Sequence, residues 1–289
     1  MTQAQELGNG LGLSLTTTDG LSLAGRSWMP AHTDAVIAVV HGIAEHGGRY
    51  AWLAHRACAQ GIGVVTVDLR GHGRSPGERS YVERFDDYLN DVDALWVRAG
   101  ELAAGRPLFL LGHSMGGAIA LRWTAQRRPA MAGLILSSAA LKIGGDVPRL
   151  LIALAPLLSR WLPHLRGTRL DPALISNDSS QVAAYMNDPL VSLKAPPART
   201  GAELLAVMEV NRAATPDLDL PVYLFHGDAD RLTDPEGSRE IHAAWGGADK
   251  TLRLWPGSRH ETLNDLDREA VVAELLGWVR AHAAADTSK

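Results

Sequence analysis

At 289 residues, 46% of them hydrophobic, the chain is long enough for one large α/β domain or for a domain carrying an insertion. A formal net charge of −4 gives no basis for nucleic-acid binding, and the single cysteine, Cys58, excludes an intrachain disulfide and suits packing in a helix. The opening stretch MTQAQELGNG has neither a basic n-region nor an apolar h-region, and no apolar run reaches the length of a membrane span, so a soluble, cytoplasmic protein is expected.

Leu11 to Thr17 and Leu21 to Trp28 alternate apolar and polar residues about Thr18-Asp19-Gly20, which predicts an antiparallel hairpin at one edge of a sheet. Ala35 to Val40 is a continuous apolar strand, followed by a helix over roughly residues 50–60. A second such strand spans Ile62 to Val67, and a long helical pattern runs from about Phe85 to Ala104. Further apolar strands are predicted at Leu108 to Leu111, Gly133 to Ser138, Pro221 to Phe225 and Thr251 to Trp255, with helices near Ala118 to Arg127, Glu236 to Trp245 and Arg268 to Ala283. Strands alternating with helices imply a mostly parallel central sheet flanked by helices on both faces. From about Ile143 to Leu218 the strand rhythm stops, and a helical pattern is broken by Pro148, Pro156, Pro163, Pro172, Pro189, Pro196 and Pro197. The expected organisation is a core built from residues 1–142 and 219–289, with residues 143–218 inserted as a helical cap.

The stretch that carries chemistry is Pro107 to Gly117, PLFLLGHSMGG. A buried strand runs into Gly112-His113-Ser114-Met115-Gly116, and a helix follows, which is the setting of a G-x-S-x-G nucleophile elbow. The strained turn requires residues without Cβ two before and two after the serine, which Gly112 and Gly116 supply.

A serine hydroxyl is a poor nucleophile until a neighbouring base takes its proton. Of eleven histidines, His242 falls inside a predicted helix, His282 in the C-terminal tail, and His226 ends a strand directly. His260 falls on the loop after the last strand, where the order nucleophile, acid, histidine places the base. The acid belongs in the stretch from His226 to Pro235. Asp234, before Pro235 and Glu236, reads as a helix N-cap, and Asp228, after Gly227, suits the turn itself. Asp230 is the residue best able to point back to His260; the residues alone favour it and leave Asp228 open. The backbone N–H groups of Ile43 and Met115 are the expected oxyanion donors. His41 and His72, each beside glycine, read as loop braces, and no metal site or cofactor is expected, because His41, His46 and His72 lack ligand partners at recognisable spacing.

These motifs resemble the α/β-hydrolases of the monoacylglycerol lipase and lysophospholipase group. The carriers are HGIAEHGGRY (His41 to Tyr50), DLRGHGRSPGER (Asp68 to Arg79), GHSMGG (Gly112 to Gly117), NDPL (Asn187 to Leu190), HGDADRLTDP (His226 to Pro235) and the GSRH loop ending at His260. The resemblance implies the α/β-hydrolase fold and places the acid on Asp230. It also implies that Glu45 and Arg49 form the polar end of the pocket, set against an ion pair serving only the loop. It implies a serine hydrolase of monoacylglycerols or similar single-chain lipid esters, working through an acyl-enzyme on Ser114. A lysophospholipase, a short-chain carboxylesterase, an acyltransferase and an aminopeptidase use the same triad. A ligand-binding receptor or scaffold is the non-enzyme alternative, against which the intact Ser114, Asp230 and His260 argue.

The cap opens with the apolar run Leu150 to Leu158, then Trp161-Leu162, among Lys142, Arg149, Arg160, Arg166 and Arg169, with Asp146 as the one acid there. Apolar residues flanked by basic ones suit a lipid headgroup boundary, so weak peripheral membrane contact through the cap is expected beside a small lipid-ester substrate.

Overall fold

A computed structural model describes residues 8–145, 149–167 and 171–286. The strands are β1 (Leu11–Thr16), β2 (Ser22–Trp28), β3 (Ala35–Val40), β4 (Ile62–Val67), β5 (Leu108–His113), β6 (Gly133–Ser137), β7 (Val222–Gly227) and β8 (Lys250–Trp255). They form one sheet in the order β1-β2-β4-β3-β5-β6-β7-β8. The hairpin partners β1 and β2 run antiparallel to each other, and β2 to β4; every other pairing is parallel. The helices are α1 (Ala51–Cys58), α2 (Asp87–Ala103), α3 (Met115–Arg127), α4 (Arg149–Trp161), α5 (Ser179–Asn187), α6 (Ala198–Ala214), α7 (Pro235–Ala244) and α8 (Arg268–Asp286).

Continuous apolar runs become strands here because both faces of the sheet are covered. All six residues of β3 are buried, and they divide alternately between two cores. Val36, Ala38 and Val40 pack with Leu89 and Val92 of α2 and Ile119 of α3, whereas Ala35, Ile37 and Val39 join the core containing Leu53 of α1 and Leu275 of α8. Asp234 caps α7, its side chain accepting from Glu236 N with Pro235 at the first turn, as the spacing predicts.

Two boundaries depart from the sequence pattern. Helix α3 begins at Met115, three residues before Ala118, because the turn at Ser114 leads straight into helical backbone although glycines at 116 and 117 dilute the periodic signal. Helix α8 runs to Asp286, past the expected end at Ala283, so His282, set aside above as a tail residue, lies well within it, its ring stacked on Trp278 one turn earlier at 3.9 Å.

Between β6 and β7 the described residues contain three α-helices, two short 3-10 turns and no strand. Helix α4 packs along α6, and α6 lies on α3, where buried Asn211 Nδ2 donates to the Ala118 carbonyl at 2.9 Å. The segment after α5 reaches the loop that follows β3: Ser192 N donates to Ala44 O at 2.8 Å, and His46 Nε2 to Asp188 Oδ2 at 2.9 Å. Two of the basic residues expected around α4 are engaged by distant acids. Lys142 pairs with Glu240 at 2.7 Å, and Arg166 pairs with Glu78 at 3.3 Å and donates to the Arg79 carbonyl. Arg160 lies 5.6 Å over the Trp161 ring; Asp146, Arg169 and the side chains of Arg149, Leu150 and Leu151 lie outside the described residues.

Candidate active site

The loops at the ends of β3, β5, β7 and β8 converge at one edge of the sheet. Between β5 and α3, Ser114 takes φ 53° and ψ −121°, a strained conformation for a residue with a side chain. A Cβ on Gly112 would collide with the Gly116 carbonyl, and one on Gly116 with the carbonyl oxygens of Val40 and His41, so the turn closes only with glycine at both. The serine is thus held at the floor of a cavity, 7% exposed.

Ser114 Oγ lies 2.9 Å from His260 Nε2, and His260 Nδ1 lies 2.7 Å from Asp230 Oδ2. The three aspartates of the β7–α7 loop separate by geometry: Asp230 faces His260, Asp234 caps α7, and Asp228 Oδ1 accepts from Gly257 N at 2.6 Å. Asp230 also accepts from the Leu232 and Thr233 amides at 2.8 and 3.1 Å and from the Thr233 hydroxyl at 2.8 Å. Burial alone would raise the Asp230 carboxyl, but the charge of His260 and hydrogen bonds from His226 and His260 hold it far below the usual carboxylate range. Burial would likewise lower His260, yet the charge and hydrogen bond of Asp230 leave the imidazole raised above its usual 6.5. A carboxylate, an oriented imidazole and a hydroxyl in line can move one proton from the hydroxyl as it attacks.

Among the described residues, neither the Ile43 nor the Met115 amide has a hydrogen-bond partner within the chain. Met115 opens α3, where backbone N–H groups point outward unsatisfied. The Ile43 loop is braced on both sides of the amide. His41 Nε2 accepts from Leu69 N at 2.9 Å, so its Nδ1–H donates to Gly42 O at 2.6 Å, and Gly42 N donates to Glu45 Oε1 at 2.7 Å.

Glu45 and Arg49 sit differently. Glu45 lines the cavity, and Arg49 is not among the lining residues. The Arg49 guanidinium reaches Glu45 Oε2 at 2.6 Å and grips both oxygens of Glu261 at 2.7 and 2.6 Å, with the Tyr185 ring 4.8 Å away on its face. Tyr50 OH donates to Glu45 Oε1 at 3.0 Å. Burial opposes ionisation of Glu45, but Arg49, His113 and His41 and the Gly42 amide bring its carboxyl down to about 2. His113, whose ring lies 5.0 Å from that of His260, is pushed down to about 4 by burial and by the charge of His260.

Above Ser114 opens a cavity of about 560 Å³. Its walls are largely apolar and come from the inserted helices as much as from the core, with Ile152, Leu158, Ile175, Leu205 and Met208 among them. Among the described residues no group of His, Cys, Asp and Glu is placed to hold a metal ion.

The sequence pattern set His226 aside as a strand-end residue and singled out neither Glu261 nor the pairing of His46 with Asp188. His226 Nε2 lies 2.9 Å from the same Asp230 oxygen that faces His260. The signals available were the place of His226 at the head of the HGDAD turn, the adjacency of Glu261 to His260, and the NDPL motif around Asp188, which did not name its partner.

A family model described as serine aminopeptidase, S33, matches residues 31–267. Monoacylglycerol lipase of Mycolicibacterium smegmatis is 32% identical over 271 residues, 93% of this chain and 96% of that protein. Human monoglyceride lipase is 35% identical over 275 residues, 93% and 90% of the two chains. The crystal structure of a Paleococcus ferrophilus monoacylglycerol lipase superposes with a TM-score of 0.82 at 31% identity, covering 90% of this chain and 99% of that one. With a family model spanning most of its length and relatives above 30% identity along nearly their whole chains, the protein belongs to the α/β-hydrolase family of serine hydrolases, in its monoacylglycerol lipase group.

Proposed function

We propose that this protein hydrolyses monoacylglycerols or similar single-chain lipid esters through an acyl-enzyme on Ser114. The observation that carries the reading is the Ser114–His260–Asp230 hydrogen-bond chain lying at the floor of a largely apolar cavity. Ser114 Oγ attacks the ester carbonyl as His260 Nε2 takes its proton, and Asp230 stabilises the imidazolium. The developing oxyanion is received by the Ile43 and Met115 amides, and removal of one such donor costs about 3 kcal/mol of transition-state stabilisation. His260 then protonates the departing glycerol oxygen, and water activated by the same imidazole releases the fatty acid and restores Ser114.

Residues 143–218 serve as a cap on a core made of residues 1–142 and 219–289. The cap supplies acyl-chain walls such as Ile152 and Leu158, and each CH₂ of the chain moved out of water contributes roughly 0.8 kcal/mol. Glu45 meets the glycerol end from the cavity wall, and Arg49 acts there by holding Glu45 and Glu261 in place. The outward face of α4 makes weak peripheral contact with a lipid surface.

A hydrolysis profile across monoacylglycerols, lysophospholipids and p-nitrophenyl esters of increasing chain length tests the reading, with fluorophosphonate labelling to report the nucleophile. The expected result is highest kcat/KM on a monoacylglycerol and labelling that disappears in Ser114→Ala. Highest kcat/KM on a lysophospholipid, or on the shortest ester, would replace the substrate; labelling retained in Ser114→Ala would replace the nucleophile.

A further inference from the structure

The Asp230 carboxylate faces two histidines. His260 Nδ1 lies 2.7 Å from Oδ2, and His226 Nε2 lies 2.9 Å from the same oxygen on the opposite side. His226 is fully buried, and its other nitrogen lies 2.8 Å from the hydroxyl of Ser238, itself fully buried in α7. An ionised carboxylate only accepts hydrogen bonds, so the Nε2 of His226 carries a proton toward Asp230. In the neutral ring Nδ1 is then an acceptor, and the Ser238 hydroxyl must be its donor. The line Ser238–His226–Asp230–His260–Ser114 is continuous, with every proton assigned a direction.

We propose that His226 is a positioning residue of the proton relay, fixing the Asp230 carboxylate through Nε2–H and taking its own tautomer from Ser238. The inference rests on the reading of Ser114, His260 and Asp230 as the reacting set. Loop geometry supplies the need for such a device. Asp230 Oδ1 is held by two backbone amides, whereas Oδ2 is held by side chains alone, and Oδ2 is the atom that meets the base. The Thr233 hydroxyl also approaches Oδ2, at 2.8 Å, but it lies 3.2 Å from the Ser138 carbonyl and has one proton to place. A second N–H on Oδ2 both orients the carboxylate and spreads its charge, so the imidazolium of His260 is held less tightly and returns its proton more readily. The groups facing His260 are Asp230, Thr233, Ser114, His113, Glu45 and Glu261; those facing His226 are Asp230, Thr233 and Ser238.

The test is the pH profile of kcat for His226→Leu, His226→Gln and Ser238→Ala. Glutamine offers an amide N–H for Asp230 and a carbonyl for the Ser238 hydroxyl. His226→Leu is expected to lower kcat at least ten-fold with KM little changed and to move the acid limb upward, because the carboxylate charge then acts on His260 alone. His226→Gln should recover most of the loss and return the limb, and Ser238→Ala should lower kcat a few-fold with a limb shifted in the same direction. An unmoved acid limb in both His226→Leu and Ser238→Ala, or a His226→Gln as impaired as the leucine variant, overturns the inference. Where His226→Leu does not fold, the glutamine and Ser238→Ala profiles decide it by the same criteria. Full turnover in Ser114→Ala would remove the underlying reading instead, so the two failures are told apart.

Discussion

The loops that end β3, β5, β7 and β8 treat polar groups as the helices between β6 and β7 treat apolar ones, out of their usual place. In the loops, Asp230, His260, Glu45 and Glu261 are carried into the interior at 7% exposure or less, and each is matched by partners. On α4 and the residues after it, Leu157, Trp161 and Leu162 stand outward at 55, 69 and 53% exposure, while Ile152, Ala155 and Leu158 of the same helix line the cavity. A helix apolar on two faces, one of them in water, is not explained by packing onto its own core. The contrast teaches where each function resides. Buried charge is tolerable only where geometry is fixed, which suits chemistry, whereas exposed apolar surface waits for something apolar, which suits delivery of substrate.

The sharpest way to break this division is to remove a matched charge in the relay. Asp230→Asn is expected to lower kcat by about four orders of magnitude, because a neutral amide supports neither the tautomer nor the imidazolium of His260. Asp228→Asn, on the same loop, should leave kcat near wild type and lower the melting temperature, since its contact is with the Gly257 amide. Steady-state kinetics and thermal unfolding of the two variants check the pair, and interchanged effects would move the acid to Asp228. In the wild type the acid limb of kcat/KM should lie above 6.5, because His260 must be neutral to act and its proton is held more tightly than in an isolated imidazole.

A smaller effect is expected from the charge cluster beneath the loop that follows β3. Arg49→Met leaves Glu45 and Glu261 buried without their cation, and loss of one member of such a group costs about 3–5 kcal/mol. The pH dependence has a definite sign. The Glu45 carboxyl is lower in the folded chain, at about 2 against 4.5, so its stabilisation is present above the unfolded value and is lost as pH falls toward the folded one. The difference in melting temperature between wild type and Arg49→Met should therefore be widest near neutrality and shrink from about pH 5 downward. Glu45→Gln sharpens the point: a lining residue should impair a monoacylglycerol more than a p-nitrophenyl ester of the same chain length, because only the glycerol offers it hydroxyls. Equal losses on both esters would confine Glu45 to the loop's structure.

These two clusters also mark where the sequence stops being readable. The sheet was legible because strands buried on both faces are unbroken apolar runs, as in β3 and β4, and Ser114 because its turn demands glycines at fixed offsets. His260 followed from chain order. The distant partners of Arg49 and His46 were not legible: Glu261 is 212 positions from Arg49, and Asp188 is 142 from His46. Each pair is made by closure of the fold and leaves no periodic trace. The same holds for the charge around α4, where local composition suggested a basic surface and Glu240 and Glu78 draw Lys142 and Arg166 back into the protein.

That last difference sets the smallest of the expected effects, at the outward face of α4. If the arginines governed contact with a lipid surface, binding would track salt. Among the described residues, with Lys142 and Arg166 engaged, Arg160 is the cation of this stretch left to meet an anionic surface, an attraction worth about 1 kcal/mol. Full burial of a leucine-sized side chain is worth about 1.5–3 kcal/mol, so even partial insertion of Leu157 and Trp161 outweighs that charge. Co-sedimentation with phosphatidylcholine vesicles should therefore fall several-fold in a Leu157→Ser, Trp161→Ser double variant. It should change little in Arg160→Glu, and rise only modestly when phosphatidylglycerol is added at low salt. Neither Leu157 nor Trp161 lines the cavity, so turnover of a water-soluble p-nitrophenyl ester should be unchanged in the double variant. Vesicle binding unaffected by the double variant would leave the exposed apolar face without a lipid role. Binding abolished by salt or by Arg160→Glu would return the contact to charge.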